Sequence, residues 1–168
     1  MSEPQLKGVW FVTTRRQLVT LYGEDALTRV AARMGEEHGP AMLEPSASAW
    51  YPEETFQSAL AAVNDEMSQG DPERFVAFME ECTVLGVNRF LRIILALTSP
   101  EYLLSKMPIF WARHRLDNGK LDVELGERSA RLHYSDFPFF DDFFRVQVTH
   151  RENGRRLDLA GLLRVTFP

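Results

Sequence analysis

The period of the hydrophobic pattern changes near residue 120, and this change constrains the fold more than any other feature of the sequence. Up to Trp111, apolar side chains recur every three to four residues, which is the spacing of amphipathic helices. Residues 121–125 and 130–134 then alternate between apolar and polar, as half-buried strands do, with a turn at 126–128 between them. The pattern predicts an α+β fold in which a helical cluster is followed by an antiparallel hairpin.

Glycine and proline divide the N-terminal part into helices. Residues 9–12 are apolar and fit either a short strand or the start of a helix that ends before Gly23. A second helix is expected to begin at Glu24 and to end at Gly39-Pro40. This end would place His38 at a helix C-terminus, where a cation interacts favourably with the helix dipole.

Three prolines mark further helix starts. Pro52 suits the first position of a third helix, followed by acidic residues at the positive end of its dipole. Asp71-Pro72 and Ser99-Pro100 each combine an N-cap side chain with proline, and the helix that begins at Asp71 continues for roughly 25 residues as the long, buried central helix. The buried face of the third helix is predicted to contain Phe56, Leu60, Val63 and Met67.

Local rules leave two interpretations of the C-terminal part. Residues 146–150 and 157–159 alternate on either side of Asn153-Gly154, a strong type I′ turn signal, and so favour a second hairpin. The same region shares an apolar helical face from 143 to 160, followed by Gly161 and a closing strand.

Four motifs follow one another along the chain: Lys7-Gly8-Val9-Trp10-Phe11 with 21–27, Trp50-Tyr51-Pro52-Glu53-Glu54, Leu104-Ser105-Lys106-Met107 and Arg131-Leu132-His133-Tyr134-Ser135. Their order and approximate spacing resemble the haem nitric-oxide/oxygen-binding domain superfamily, and most closely a paralogous family of myxobacterial proteins within or near it. The resemblance covers most of the chain. It implies helices, including the long central one, packed on a small antiparallel sheet, and a helix over 143–160 before the closing strand.

The chain departs from that superfamily at its haem ligands. Haem iron needs a strong axial ligand, which in the haem-binding members is a histidine shortly before the position matched by Met107, and residues 100–107 contain no histidine. The propionate-binding Tyr-x-Ser-x-Arg motif is replaced by residues 134–137, which lack the arginine. The related vinyl-reductase-type ligand-binding domains often carry a cysteine zinc site near the C-terminus, but Cys82 is the only cysteine here. We therefore expect no haem, no metal and no other cofactor.

Length, charge and cysteine content narrow the class of protein. With 168 residues the chain is expected to form a single domain, 1–168. A net charge of −5 argues against nucleic acid, and no apolar run approaches the ~20 residues of a membrane span. One cysteine and no secretory signal favour a cytoplasmic protein. Residues 1–84 carry 6 basic and 14 acidic side chains, whereas residues 85–168 carry 13 and 10.

No catalytic signature is present. The sequence lacks Gly-x-Ser-x-Gly, a P-loop, GxGxxG and any pair of histidines at metal-ligand spacing. Its acidic pairs are adjacent in sequence and point in different directions on a helix, so they suit solvation better than acid/base catalysis. His133 is expected to face solvent and His150 to be half-buried. We predict that the protein is not an enzyme and has no catalytic residues.

Aromatic side chains are the remaining candidates for function. Trp50 and Tyr51, like Phe110 and Trp111, either close the core or form a pocket wall or partner surface. Five phenylalanines among residues 137–144 either cap the core or form an exposed patch, and such patches usually mark association.

These observations predict a non-catalytic binding module that acts through protein–protein interaction as a homodimer. The predicted interface contains Phe139, Phe140, Phe143, Phe144, Arg151 and Arg155. In such a dimer the acidic part of one copy is expected to meet the arginine-rich part of the other. The alternative is a sensor that binds an apolar small molecule or acyl chain between the central helix and the sheet. Its predicted ligand-binding residues are Trp50, Tyr51, Phe78, Trp111 and His114.

Overall fold

The computed structural model describes residues 3–86, 99–126 and 130–139. They belong to two compact units, one that ends at Gly86 and one that follows it. Helices pack on small antiparallel strand pairs, so the predicted α+β class is confirmed. The single domain over 1–168 stays a prediction.

The first unit is mainly helical. Its two short strands are antiparallel, with Leu6 opposite Tyr51. A π-helical turn extends the third helix, and the fourth helix is described as far as Gly86. In chain order the elements are β1 (Gln5–Lys7), α1 (Val9–Tyr22), α2 (Glu24–Leu43), β2 (Trp50–Pro52), α3 (Glu53–Val63), the π-helix Asn64–Ser68 and α4 (Pro72–Gly86).

Helix α1 resolves the first ambiguity of the sequence, because residues 9–12 are helical. The helix ends as expected before Gly23, whose amide donates to the Val19 carbonyl at 3.0 Å. Gly23 has a φ of 80°, a left-handed conformation that favours glycine.

The predicted end of α2 at Gly39-Pro40 is wrong. The helix is interrupted earlier, at Gly35, which has a φ of 81°, and its second segment continues to Leu43. Pro40 lies inside this second segment and does not end the helix. His38 therefore lies inside the second segment and does not cap a helix end.

The core of the first unit is formed by apolar side chains from β1 and from helices α1 to α4. The ring of Phe11 lies 4.9 Å from that of Tyr51 and 5.2 Å from that of Phe56. Met67, which was predicted on the buried face of α3, is half-buried in the π-helical turn. The other three residues predicted for that face, Phe56, Leu60 and Val63, are buried.

The second unit has one helix and a hairpin among its described residues. Its elements are α5 (Pro100–His114), β3 (Arg115–Leu116), β4 (Lys120–Leu125) and β5 (Ala130–Ser135). Strands β4 and β5 pair antiparallel with Leu121 opposite Tyr134, which confirms the predicted hairpin, and α5 packs on β4. The predicted N-cap is also confirmed, since Ser99 Oγ accepts a hydrogen bond from the Tyr102 amide at 3.3 Å.

Several predictions lie outside the described residues. They are the continuation of the central helix beyond Gly86, the choice between hairpin and helix over 143–160, the closing strand and the position of His150. Within the described residues, no helix has both the length and the apolar character needed to cross a membrane.

Candidate functional site

Trp50 and Tyr51 lie side by side on β2 and are both half-buried. The Lys7 ammonium group is 4.0 Å from the centre of the Trp50 ring, and the Tyr51 hydroxyl accepts a hydrogen bond from the Ser46 amide at 2.9 Å. Gly8 allows this approach, because a Cβ there would lie 2.0 Å from the Ser46 carbonyl oxygen. These contacts give Trp50 and Tyr51 a structural role at the edge of the core.

A pocket of about 440 Å³ opens beside Tyr51. His38 from α2 and Thr55 from α3 meet in its wall, with His38 Nδ1 and Thr55 Oγ1 3.1 Å apart. Of the predicted ligand-binding residues, Tyr51 alone lines it among the described residues. Four acidic residues also line it: Glu3, Glu37, Glu44 and Glu54. We call this feature the acidic pocket. Its charge does not suit an acyl chain, so the apolar-ligand alternative gains no support from it.

Glu53 precedes Glu54, which lines the acidic pocket, and the side chain of Glu53 is fully buried. Its carboxylate accepts a hydrogen bond from Gln57 Nε2 at 2.8 Å, and its amide donates to the Pro4 carbonyl at 2.8 Å. An anion in the first turn of α3 is also stabilised by the helix dipole. Sequence reasoning predicted the dipole interaction but treated Glu53 as a solubilising charge, which is wrong.

Phe78 on α4 is a core residue, 3% exposed, with its ring 6.5 Å from that of Tyr22. One turn further on, Cys82 is buried as a free thiol, and this burial raises the pKa of Cys82 to about 12. The nearby Gln17 is also buried and donates to Glu81 Oε2 at 2.5 Å. This contact joins α1 to α4, so the surroundings of Phe78 are those of a helix interface.

Trp111 anchors α5 to the base of the hairpin. Its indole Nε1 donates to the Gly119 carbonyl at 3.3 Å, and its ring meets Phe137 edge-on at 5.7 Å. The Arg115 guanidinium group lies 4.4 Å from the Trp111 ring centre. Gly119 has a φ of 71°, and a Cβ there would lie 2.4 Å from the Ser135 carbonyl oxygen. Trp111 therefore has a structural role within the second unit.

The outward side of α5 exposes large apolar side chains together with cations. Tyr102, Ile109 and Phe110 are 52%, 51% and 43% exposed, and Lys106 and Arg113 are exposed between and beyond them. Residues at these spacings lie on one side of a helix. No described carboxylate forms an ion pair with Lys106 or Arg113. We call these five residues the α5 face.

Two contacts hold side chains of the α5 face in place. The Lys106 ammonium group lies 5.0 Å from the centre of the Tyr102 ring. The His114 ring lies 4.1 Å from that of Phe110, and His114 Nδ1 donates to the Phe110 carbonyl at 2.8 Å. Predicted as a ligand-binding residue, His114 thus supports a side chain of the α5 face.

The predicted phenylalanine interface is only partly described. Phe137 is 7% exposed and belongs to the core, and the half-buried Phe139 ring lies 6.1 Å from it. Core capping is therefore the role of the first of the five phenylalanines. The remaining predicted interface residues, Phe140, Phe143, Phe144, Arg151 and Arg155, lie outside the described residues.

Sequence reasoning singled out Phe110 as a candidate for the core, a pocket wall or a partner surface, but not the α5 face as a whole or the acidic pocket. Apolar residues occur around much of α5, so periodicity alone does not tell which side is exposed. The acidic pocket combines side chains from α2, α3 and the N-terminal segment, and only the adjacent glutamates gave a local signal.

No protein-family model matches the chain, and neither a curated protein nor a solved structure matches it significantly. The resemblance to the haem nitric-oxide/oxygen-binding superfamily therefore rests on the four motifs alone. In the described ranges 3–86, 99–126 and 130–139, no group of three His, Cys, Asp or Glu side chains is arranged to hold a metal ion.

Proposed function

We propose that the protein is a non-catalytic, haem-free binding module that acts through protein–protein association between two copies, and that the α5 face is its contact surface. The observation that carries the proposal is the exposure of Tyr102, Ile109 and Phe110 on one side of one helix. Burying apolar surface contributes about 25 cal/mol per Å². Three such side chains therefore offer a substantial gain to any partner that covers them.

The composition of the α5 face supports association rather than simple solvent exposure. Aromatic residues and arginine are enriched at protein interfaces, and Tyr102, Phe110 and Arg113 provide both. The contacts of Lys106 with Tyr102 and of His114 with Phe110 restrict these side chains before binding. Restriction in the free state lowers the entropy lost on association.

Three sequence features support the class of the proposed module. Its motifs resemble the haem nitric-oxide/oxygen-binding superfamily, but residues 100–107 contain no histidine to ligate iron. The net charge of −5 disfavours a polyanionic partner, which leaves protein as the preferred one. The single cysteine, Cys82, supports a reducing, cytoplasmic location.

Sedimentation velocity over a micromolar concentration range tests the proposal. Wild-type protein is expected to dimerise, and Ile109→Glu is expected to weaken the dimer by about tenfold or more, because a charge replaces an apolar contact. Leu125→Glu is the matched control, because Leu125 is 43% exposed and lies on β4, outside the α5 face. This substitution should leave the affinity of the dimer unchanged. A wild-type protein that stays monomeric, or equal effects of the two substitutions, would contradict the proposal.

A further inference from the structure

We propose that the acidic pocket of one copy receives the α5 face of the other. This inference rests on the proposed function, because it assigns the surface against which the α5 face docks. The partner it names is a second copy of the same chain.

The carboxylates of the acidic pocket are not neutralised within the described first unit. None of Glu3, Glu37, Glu44 and Glu54 forms an ion pair with a described cation. The arginines that form ion pairs in this unit do so elsewhere. Arg33 pairs with Asp65 and Glu66, Arg29 pairs with Glu66, Arg15 pairs with Glu24, and Arg74 pairs with Asp71. The acidic pocket is thus a concave surface whose glutamates form no ion pair with a described cation.

Lys106 and Arg113 of the α5 face have the complementary property. They are seven residues apart on a helix, a separation of about 10 Å along its axis, so one can enter a pocket while the other reaches its rim. A guanidinium group binds a carboxylate through two parallel hydrogen bonds, and an ammonium group binds one as a point charge. The α5 face therefore carries two cations suited to a surface lined with glutamates.

The acidic pocket also has the size and walls for a long basic side chain. Its volume of about 440 Å³ lies within the range of about 300–1,000 Å³ typical of binding pockets. Pro40, Ala41 and Tyr51 give it apolar wall that can cover the stem of a lysine or arginine while the charged end meets the glutamates. Leu43, next to Glu44 in the chain, is 42% exposed and offers apolar surface to Ile109 and Phe110.

Both surfaces occur on every copy, so a twofold dimer built on this contact contains it twice, with the α5 face of each copy on the acidic pocket of the other. The wider charge distribution agrees, because acidic residues predominate in residues 1–84 and basic residues in 85–168. Attraction between exposed charges is screened by salt, so this dimer should weaken as ionic strength rises.

A charge exchange tests the inference. Lys106→Glu with Arg113→Glu makes the α5 face acidic, and Glu44→Lys with Glu54→Lys makes the acidic pocket basic. Each double variant alone is expected to lose self-association by tenfold or more. An equimolar mixture of the two is expected to form a heterodimer, because one of its contacts has the charges of both sides reversed and the other keeps the wild-type charges, so both are attractive. Recovery in the mixture also shows that both variants are folded.

The control changes the same amount of charge at exposed sites that do not line the acidic pocket. Glu36→Lys with Glu73→Lys is expected to leave the wild-type dimer within about twofold of its affinity. If the α5 variant fails to associate while the pocket variant dimerises normally, the inference is overturned and the proposed function stands, because the α5 face then docks elsewhere. If neither double variant affects the dimer, or wild-type protein is monomeric, both fail.

Discussion

The two units place their apolar side chains differently. Among the described residues, 17 buried hydrophobic side chains belong to the first unit, whereas Leu121 and Phe137 are their counterparts in the second. Among the same described residues, five large hydrophobic side chains are exposed in the second unit and three in the first. The described core thus lies mainly in the first unit. The described part of the second unit has apolar surface available for association.

This contrast separates stability from binding in the chain. Side chains such as Phe11 act within one molecule, whereas the α5 face is proposed to act between molecules. Charge follows the same division, since glutamates without an ion pair to a described cation line the acidic pocket of the first unit, and Lys106 and Arg113 lie on α5 without an ion pair to a described carboxylate. Substitutions that distinguish the free energy of unfolding from the dissociation constant will therefore test the contrast.

The largest expected effect on stability comes from Phe11→Ala. Phe11 is fully buried between Tyr51 and Phe56, so its truncation should lower the free energy of unfolding by about 3–5 kcal/mol. Phe110→Ala, at a side chain 43% exposed, should change it by less than about 1 kcal/mol while weakening the dimer. Urea denaturation at a protein concentration below the dissociation constant of the dimer measures the free energy of unfolding of both variants. Equal losses would contradict the contrast.

Gly119→Ala tests whether the second unit is tightly packed at the base of its hairpin. An alanine there combines a positive φ with a Cβ 2.4 Å from the Ser135 carbonyl oxygen, so the expected loss is about 2–4 kcal/mol. Gly70→Ala is the matched control in the first unit. The φ of Gly70 is 74°, but a Cβ there would have no atom within 4 Å apart from its chain neighbours. Backbone strain alone should therefore lower the free energy of unfolding by about 1 kcal/mol. If thermal or urea unfolding shows similar losses of stability for the two variants, the Ser135 carbonyl moves away from the new Cβ at residue 119.

Alkaline pH should affect the first unit through Cys82. Burial raises the pKa of Cys82 from 9.0 to about 12, so between these values the unfolded chain loses a proton that the folded chain keeps. The free energy of unfolding should therefore fall as pH rises above 9, by about 1.4 kcal/mol per pH unit from this group, and be unaffected by it below pH 9.

Cys82→Ala removes this titration and supplies the reference for it. The difference in the free energy of unfolding between wild type and variant should be constant below pH 9. Above pH 9 the wild type should lose stability relative to the variant, as urea unfolding at each pH can measure. Stability curves that stay parallel up to pH 11 would show that the thiol reaches solvent in the folded protein.

Local signals in the sequence were sufficient for several elements. Asp71-Pro72 and Ser99-Pro100 start helices because capping depends on a few adjacent residues. The hairpin followed from alternation, and the observed strands extend the predicted runs by a single residue, at Lys120 and Ser135. These features depend on neighbours in sequence and are therefore predictable from it.

Non-local features were not predictable in the same way. The pairing of Gln5–Lys7 with Trp50–Pro52 joins two three-residue strands that have no periodicity of their own. Two glycine positions could end the first segment of α2, and the break lies at Gly35 rather than at Gly39. In the folded chain His38 of α2 meets Thr55 of α3 in the wall of the acidic pocket, a contact that no local signal gives, so the candidate site was harder to predict than the fold.

The smallest expected effects concern the N-caps, which occur in both units. Asp71 Oδ1 accepts a hydrogen bond from the Glu73 amide at 2.9 Å, so Asp71→Ala should lower the free energy of unfolding by about 1 kcal/mol. Asp71→Asn should keep most of the stability that the cap contributes. The longer 3.3 Å bond to Ser99 Oγ predicts about 0.5 kcal/mol for Ser99→Ala, measured by urea denaturation.

Ser99→Ala should also change the pKa of the nearby Glu101 carboxyl. The backbone amide of Glu101 and then the Ser99 hydroxyl lower the pKa of the Glu101 carboxyl. Since a lowered pKa favours the folded state above the unfolded value of 4.5, this contribution is lost as pH falls. NMR titration should show the Glu101 pKa moving up towards its ordinary value in Ser99→Ala. An unchanged pKa would mean that the backbone amide alone lowers the pKa of Glu101 and that the Ser99 hydroxyl does not contribute.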